Sequence, residues 1–168
     1  MREVNFQWEM HAAFTHHYPD AYYYKIPDPT RAEAHRPYDA EFFQNGKYWG
    51  LEYKMMKKVE AFPFSHIEDH QIFNLRKIHR NGGFGYFIIN YRTKVTEKQR
   101  KLYDIEEKKL NVAYVIPITY ILQVMKLGAR SVSVKWLRTY AMKMDRETIE
   151  KGLTLWNVRT LIERDRKQ

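Results

Sequence analysis

The residues best suited to chemistry in this 168-residue chain lie in the run RPYDAEFFQNGKYWGLEYK, residues 36–54. Asp39 opens one strand-like stretch, Glu52-Tyr53-Lys54 closes the next, and Asn45-Gly46 lies between them. Asn-Gly between strand formers predicts a hairpin on a type I′ turn, because both central residues of that turn need positive φ. Pairing about this turn sets Gln44 against Lys47 and Asp39 against Glu52. Glu52 and Lys54 are two apart on one strand and so share a face. Directly opposed residues share a face too, so Asp39, Glu52 and Lys54 are expected to converge. A slip of one residue would separate them. Two opposed carboxylates repel. A hard divalent cation removes that objection, since Mg²⁺ takes oxygen ligands and keeps several waters. With an ammonium group beside it, such a centre suits phosphodiester hydrolysis. A charged hairpin facing water uses the same residue types, so the hairpin by itself leaves both readings open.

Several elements must position this hairpin. Val4, Trp8 and Ala12 recur at helical spacing and predict a short amphipathic helix over 3–14, with Glu9 to one side of the stripe. AYYYKI (21–26) reads as a strand, and PDPTRAEAHRP after it as a proline-bracketed loop made basic by Arg31, His35 and Arg36. Beyond the hairpin, Ile72, Leu75, Ile78 and His79 predict a helix opened by His70 and Gln71 and stopped by Asn81-Gly82-Gly83. GFGYFIINY (83–91) reads as a buried strand. Thr96 and Gln99 stand in capping-box spacing at the start of a helix or charged excursion over 96–110. VAYVIPI follows as a strand, and TYILQVMKL as a helix closed by Gly128. Two further helices are expected, Val134–Met142 capped by Ser133 and Leu155–Arg164 capped by Thr154. This order describes a single α/β (α+β) domain, a mixed β-sheet flanked by helices. Residues 1–128 form its expected core, and 129–168 a C-terminal helical extension packed on that core.

Composition narrows the chemistry. Lysine and arginine number 29 against 20 acidic residues, a net charge of +9, which favours a polyanionic partner such as nucleic acid. The absence of cysteine excludes disulfides, thiolate nucleophiles and Cys-ligated zinc. Among seven histidines only His66 and His70 have i, i+4 spacing, and they straddle a helix start, so no zinc site is expected. No apolar run approaches the roughly 20 residues that span a bilayer, so no membrane partner is expected. MREVNFQWEM lacks the apolar stretch of a signal peptide, which points to the cytoplasm.

The run RPYDAEFFQNGKYWGLEYK resembles the P-D…(D/E)-x-K signature of the restriction-endonuclease-like nuclease superfamily, with Asp39, Glu52 and Lys54 at the signature positions. The next stretch, AFPFSHIEDHQIFNLRKIHRNGGFGYFIINYR, carries Phe-Pro, His-Gln-Ile and Gly-Gly before an aliphatic strand. In this it is similar to the RecU-type Holliday junction resolvases, from about residue 21 to 92 and more loosely through YVIPI. The resemblance implies a restriction-endonuclease-like fold and a homodimer that nicks opposing strands of a four-way DNA junction with Mg²⁺ or Mn²⁺. It implies that Asp39, Glu52 and the backbone carbonyl of Tyr53 bind the metal and that Lys54 positions the attacking water. By the same resemblance Gln71 approaches the phosphate or a water, and Glu9 supplies an acid from the N-terminal helix, though Glu9 equally suits a solvated charge. DNA contacts are expected from Arg31, His35, Arg36, Lys57, Lys58 and His70. RecU proteins usually carry a longer stalk before the catalytic aspartate, and here only the basic loop 27–36 takes its place. Cleavage of flap or duplex DNA, or a non-catalytic DNA-binding role in recombination, therefore stays open. Lys135, Arg138, Lys143 and Arg159 near the C-terminus suit phosphate contact or a solvated face.

Overall fold

The Asn-Gly pair turns as its chemistry dictates, with Asn45 at φ 52° and Gly46 at φ 76°. A computed structural model describes residues 3–28, 35–150 and 152–166 of the chain. The first helix, α1 (Glu3–His17), leads to β1 (Tyr22–Lys25), which pairs antiparallel with β2 (Ala40–Gln44). The turn then delivers β3 (Lys47–Met56), whose register with β2 runs from Gln44 opposite Lys47 to Ala40 opposite Leu51. Continued by one residue, this register brings Asp39 level with Glu52, as the turn predicts.

From β3 the chain crosses through the short strand β4 (Phe62–Pro63) and α2 (Asp69–Arg80) to β5 (Phe84–Lys94), which lies parallel to β3. A short helix, α3 (Glu97–Tyr103), precedes β6 (Lys109–Pro117), and α4 (Ile118–Lys126) follows it. Thr96 caps α3 as expected, but the helix closes at Tyr103, so much of the 96–110 stretch is not helical. Next come β7 (Ser131–Val132), paired with β4, then α5 (Val134–Tyr140), capped by Ser133, and β8 (Met142–Met144). The chain ends in the hairpin β9 (Arg146–Glu150) and β10 (Leu153–Trp156) and the helix α6 (Arg159–Arg166). The main sheet has six strands in the order β1-β2-β3-β5-β6-β8, antiparallel except at β3–β5. It is a mixed α/β fold of the restriction-endonuclease-like kind.

Two expectations change here. Residues 129–168 are not a helical extension: β8 is a strand of the main sheet, and Met144, Trp156, Leu161 and Ile162 lie in the core. Thr154 does not cap a helix either, because it pairs with Thr148 in the terminal hairpin, and α6 starts only at Arg159.

Alternation along the strands sends side chains to two cores. Leu51, Tyr53, Tyr86 and Ile88 pack with Phe6, Met10 and Phe14 of α1 and with Trp156. Phe87, Ile89 and Ile116 face the other way, onto Leu75 of α2, Ile121 of α4 and Leu137 of α5. Helix α2 rides close on the sheet, since a Cβ at Gly85 would stand 2.6 Å from the carbonyl oxygen of Leu75. The buried stripe of α1 is Phe6, Met10, Ala13 and Phe14, whereas Trp8 is 55% exposed and Ala12 is exposed too, so the sequence stripe through Trp8 and Ala12 picked the wrong face. Among the described residues no helix is long and apolar enough to cross a membrane.

Candidate active site

Strand alternation puts Glu52 and Lys54 on the sheet face opposite Leu51 and Tyr53, the face that α2 covers. Lys54 Nζ lies 2.9 Å from Glu52 Oε1. Asp39 sits in a bend just before β2, with its backbone N–H donating to Leu51 O at 3.0 Å. Its carboxylate therefore lies at the place where β3 has no further β2 residue to pair with. The Tyr53 N–H points into this gap and donates to Asp39 Oδ2 at 2.7 Å. In a strand the carbonyl of a residue leaves on the same side as its N–H, so the Tyr53 carbonyl faces the gap as well.

Each acid is fixed by neutral amides. Gln7 of α1, itself 3% exposed, donates through Nε2 to Asp39 Oδ1 at 3.0 Å. Gln71 closes a capping box at the start of α2 by accepting from the Glu68 N–H at 3.1 Å. Its Nε2 meanwhile donates to Glu52 Oε1 at 2.7 Å. Arg36 pairs with Asp39 Oδ1 and with Asp28 Oδ1, the second contact at 2.6 Å.

Both carboxyl groups are essentially without solvent exposure. Burial first, and then the facing Asp39 charge, push the Glu52 pKa up to about 8 against the pull of Lys54 and Arg36. Burial also raises Asp39 above its ordinary range, and Arg36, the Tyr53 N–H and Lys54 only partly offset it. Glu52 Oε2 is buried with no hydrogen-bond partner, although Oε1 accepts from both Lys54 and Gln71. An oxygen left so costs about 1–3 kcal/mol, and more when charged. A hard cation held by Asp39 and Glu52 would satisfy such an oxygen and offset the repulsion. The donor set of carboxylate oxygens and a strand-edge carbonyl therefore fits Mg²⁺ or Mn²⁺.

The other sequence candidates scatter. Glu9 does not turn toward Asp39; Arg92 grips it with two hydrogen bonds of 2.8 and 2.5 Å, and Trp156 Nε1 donates to it at 3.0 Å. Burial would raise its pKa, but these donors hold it below the ordinary range. Gln7 takes the helix position instead, about 200° around α1 from Glu9. It follows Phe6 on the buried stripe, so the stripe Phe6-Met10-Phe14 was the signal that would have found it. Arg31 lies outside the described residues. Lys57 and Lys58 are exposed just past the end of β3. His35 and His70 stack with ring centroids 4.8 Å apart at the mouth of α2. At the C-terminal end, Arg138 donates to the carbonyls of Tyr103 and Asp104, Lys143 pairs with Asp145 and Arg159 with Glu147, so these three have protein partners. Lys135 is exposed on α5.

A mixed sheet flanked by helices, with this acid pair and lysine on its central hairpin, defines a protein of the restriction-endonuclease-like class. The family model "Recombination protein U" (RecU) matches residues 38–151, and the chain belongs to that family. The Holliday junction resolvase RecU of Staphylococcus carnosus (strain TM300) is 27% identical over 71 residues. That match covers 42% of this chain and 30% of the relative. Asp39, Glu52, Lys54 and Gln71 fall inside the family match, while Gln7 and Arg36 lie before it.

Proposed function

We propose that this chain is a divalent-cation-dependent endonuclease that resolves four-way DNA junctions, working as a homodimer that nicks opposing strands. The observation that carries the reading is the buried acid pair with one unsatisfied oxygen beside a lysine. Membership of the RecU family, and a matched relative named as a Holliday junction resolvase, support a junction substrate for this reading. Asp39, Glu52 and the Tyr53 carbonyl would hold Mg²⁺ or Mn²⁺. Bound there, the cation supplies charge stabilisation at a phosphoryl oxygen and a more acidic water.

The chain's own residues set the geometry. Gln7 and the Tyr53 N–H fix the plane of Asp39, and Gln71 fixes that of Glu52. Lys54 Nζ, beside Glu52, would orient the attacking water by donating an N–H to its oxygen. Arg36 neutralises Asp39, and its guanidinium would be free to contact the DNA backbone were that charge met otherwise. Lys57 and Lys58, exposed just past β3, would add contacts to phosphate, consistent with the +9 net charge. The reaction would take place on recombination intermediates in the cytoplasm of a bacterial, archaeal or phage-infected cell.

Incubation with an immobile four-way junction and Mg²⁺ is expected to give paired symmetric nicks. Asp39→Asn should bind the junction and leave it uncut. Faster cleavage of a flap or linear duplex at equal DNA concentration would move the substrate within the same chemistry. Junction binding with no cleavage under Mg²⁺ or Mn²⁺ would make the chain a DNA-binding recombination partner.

A further inference from the structure

We propose a second metal site, distinct from the acid pair, in which His35, Glu68 and His70 bind one transition-metal ion of the Zn²⁺ type. The ligand atoms of these three side chains all lie within 4.8 Å of one another. His70 Nδ1 already stands 3.3 Å from Glu68 Oε2, and the His35 ring stacks on that of His70. Two imidazoles and a carboxylate form a borderline donor set that suits Zn²⁺, Co²⁺ or Ni²⁺ rather than the hard cation expected between Asp39 and Glu52.

The fit needs little movement. Zinc–nitrogen bonds of about 2.0–2.1 Å place tetrahedral ligand atoms roughly 3.3 Å apart, so the widest gap closes by about 1.5 Å. Glu68 and His35 are exposed and His70 is half-buried, and rotations about their own side-chain bonds supply that distance. The positive end of α2 opposes a cation here, but Glu68 at its cap and Asp69 in its first turn set negative charge against it. Histidine spacing in the sequence misses the site, because the pair at i, i+4, His66 and His70, is not the pair that gathers. The second imidazole comes from 35 residues upstream, at the end of the basic loop.

Placement gives the ion a role. His35 immediately precedes Arg36, which grips Asp39, and His70 immediately precedes Gln71, which grips Glu52. An ion shared by His35 and His70 ties the loop to the helix and fixes both neighbours of the acid pair. This is a structural tie at the rim, independent of whether the acid pair cuts DNA.

The test uses the full chain carrying Asp39→Asn and Glu52→Gln, which silences the acid pair, titrated with Co²⁺ and followed by visible absorption and calorimetry. One Co²⁺ per chain with intense tetrahedral d–d bands, displaced by Zn²⁺, is expected. Adding His35→Ala or His70→Ala should weaken binding by more than about tenfold and abolish the bands. His35→Ala alters only an exposed loop residue, so its effect is separable from folding. Absence of Co²⁺ binding, or binding that survives both histidine variants, overturns the site. Neither result bears on the nuclease reading, which junction cleavage by the unmodified chain decides.

Discussion

Two buried acids lie on opposite faces of the same pair of strands, and they are treated differently. Asp165 of α6 is fully buried near the start of β3 and β5. Trp49 Nε1 donates to its Oδ2 at 2.8 Å, the Tyr86 hydroxyl lies 2.9 Å from both oxygens, and Arg164 donates to Oδ1 at 3.0 Å. Glu52, equally buried, has two donors on one oxygen and none on the other, and faces a second acid. A carboxylate kept for architecture has its lone pairs filled by the protein. One kept for chemistry leaves room, and the protein is less stable for it. The contrast supports placing the proposed site on the face that α2 covers, without reference to any motif.

Cleavage is the sharpest way to press this comparison. Asp39→Asn or Glu52→Gln should lower junction cleavage by roughly 10⁴-fold, about 5.4 kcal/mol in the barrier, measured in single-turnover assays. Asp165→Ala should act on stability instead. Loss of a buried, fully paired acid is expected to cost about 3–5 kcal/mol, a fall in Tm of roughly 6–20 °C. In the same melts, with chelator at pH 8, Glu52→Gln should raise Tm by roughly 2–8 °C, as expected for about 1–2 kcal/mol at this chain length. Equal signs for the two substitutions would break the distinction between the two acids.

pH separates them further. Folded Glu52 keeps its proton up to about pH 8, whereas the unfolded chain releases it near its ordinary 4.5. Between those values the folded state binds more protons, so the stability of the cation-free protein falls as pH rises from about 5 to 8. Asp39, also raised by burial, adds in the same direction. Glu52→Gln should flatten the slope in urea melts, and Mg²⁺ affinity should tighten as pH rises toward 8. The smallest effect is expected from α1. Gln7→Ala should slow cleavage about tenfold, near 1.4 kcal/mol, while Glu9→Gln leaves it within about twofold.

The hairpin was legible because its information is local. An Asn-Gly turn fixes the register within a few residues, and the register fixes which side chains meet. The Thr96 and Ser133 caps were legible for the same reason. The face of α1 was not, because two apolar stripes compete in EVNFQWEMHAAF and only the packing of Phe6 against Tyr53 and Trp156 selects one. That choice also decided between Gln7 and Glu9. Leu155 and Trp156 read as the start of a helix, but pairing with β9 and burial of the indole against α1 override local propensity. The strand β8 spans three residues and carries no periodic signal, and only its pairing with β6 makes it part of the sheet.

The Asn-Gly turn has a consequence for the order in which the molecule assembles. The Asp39–Tyr53 contact closes over 14 residues, whereas the Trp49–Asp165 contact closes over 116. By loop entropy alone the shorter closure is favoured by about 2 kcal/mol. Emerging from the ribosome, the chain meets the repulsion between its two acids before the C-terminal segment that buries Asp165 exists. Folding rates should therefore respond more to substitutions at the turn than to Asp165→Ala, which should chiefly hasten unfolding. From the first moment the hairpin forms, the nascent chain relieves that repulsion by keeping a proton on the acid pair.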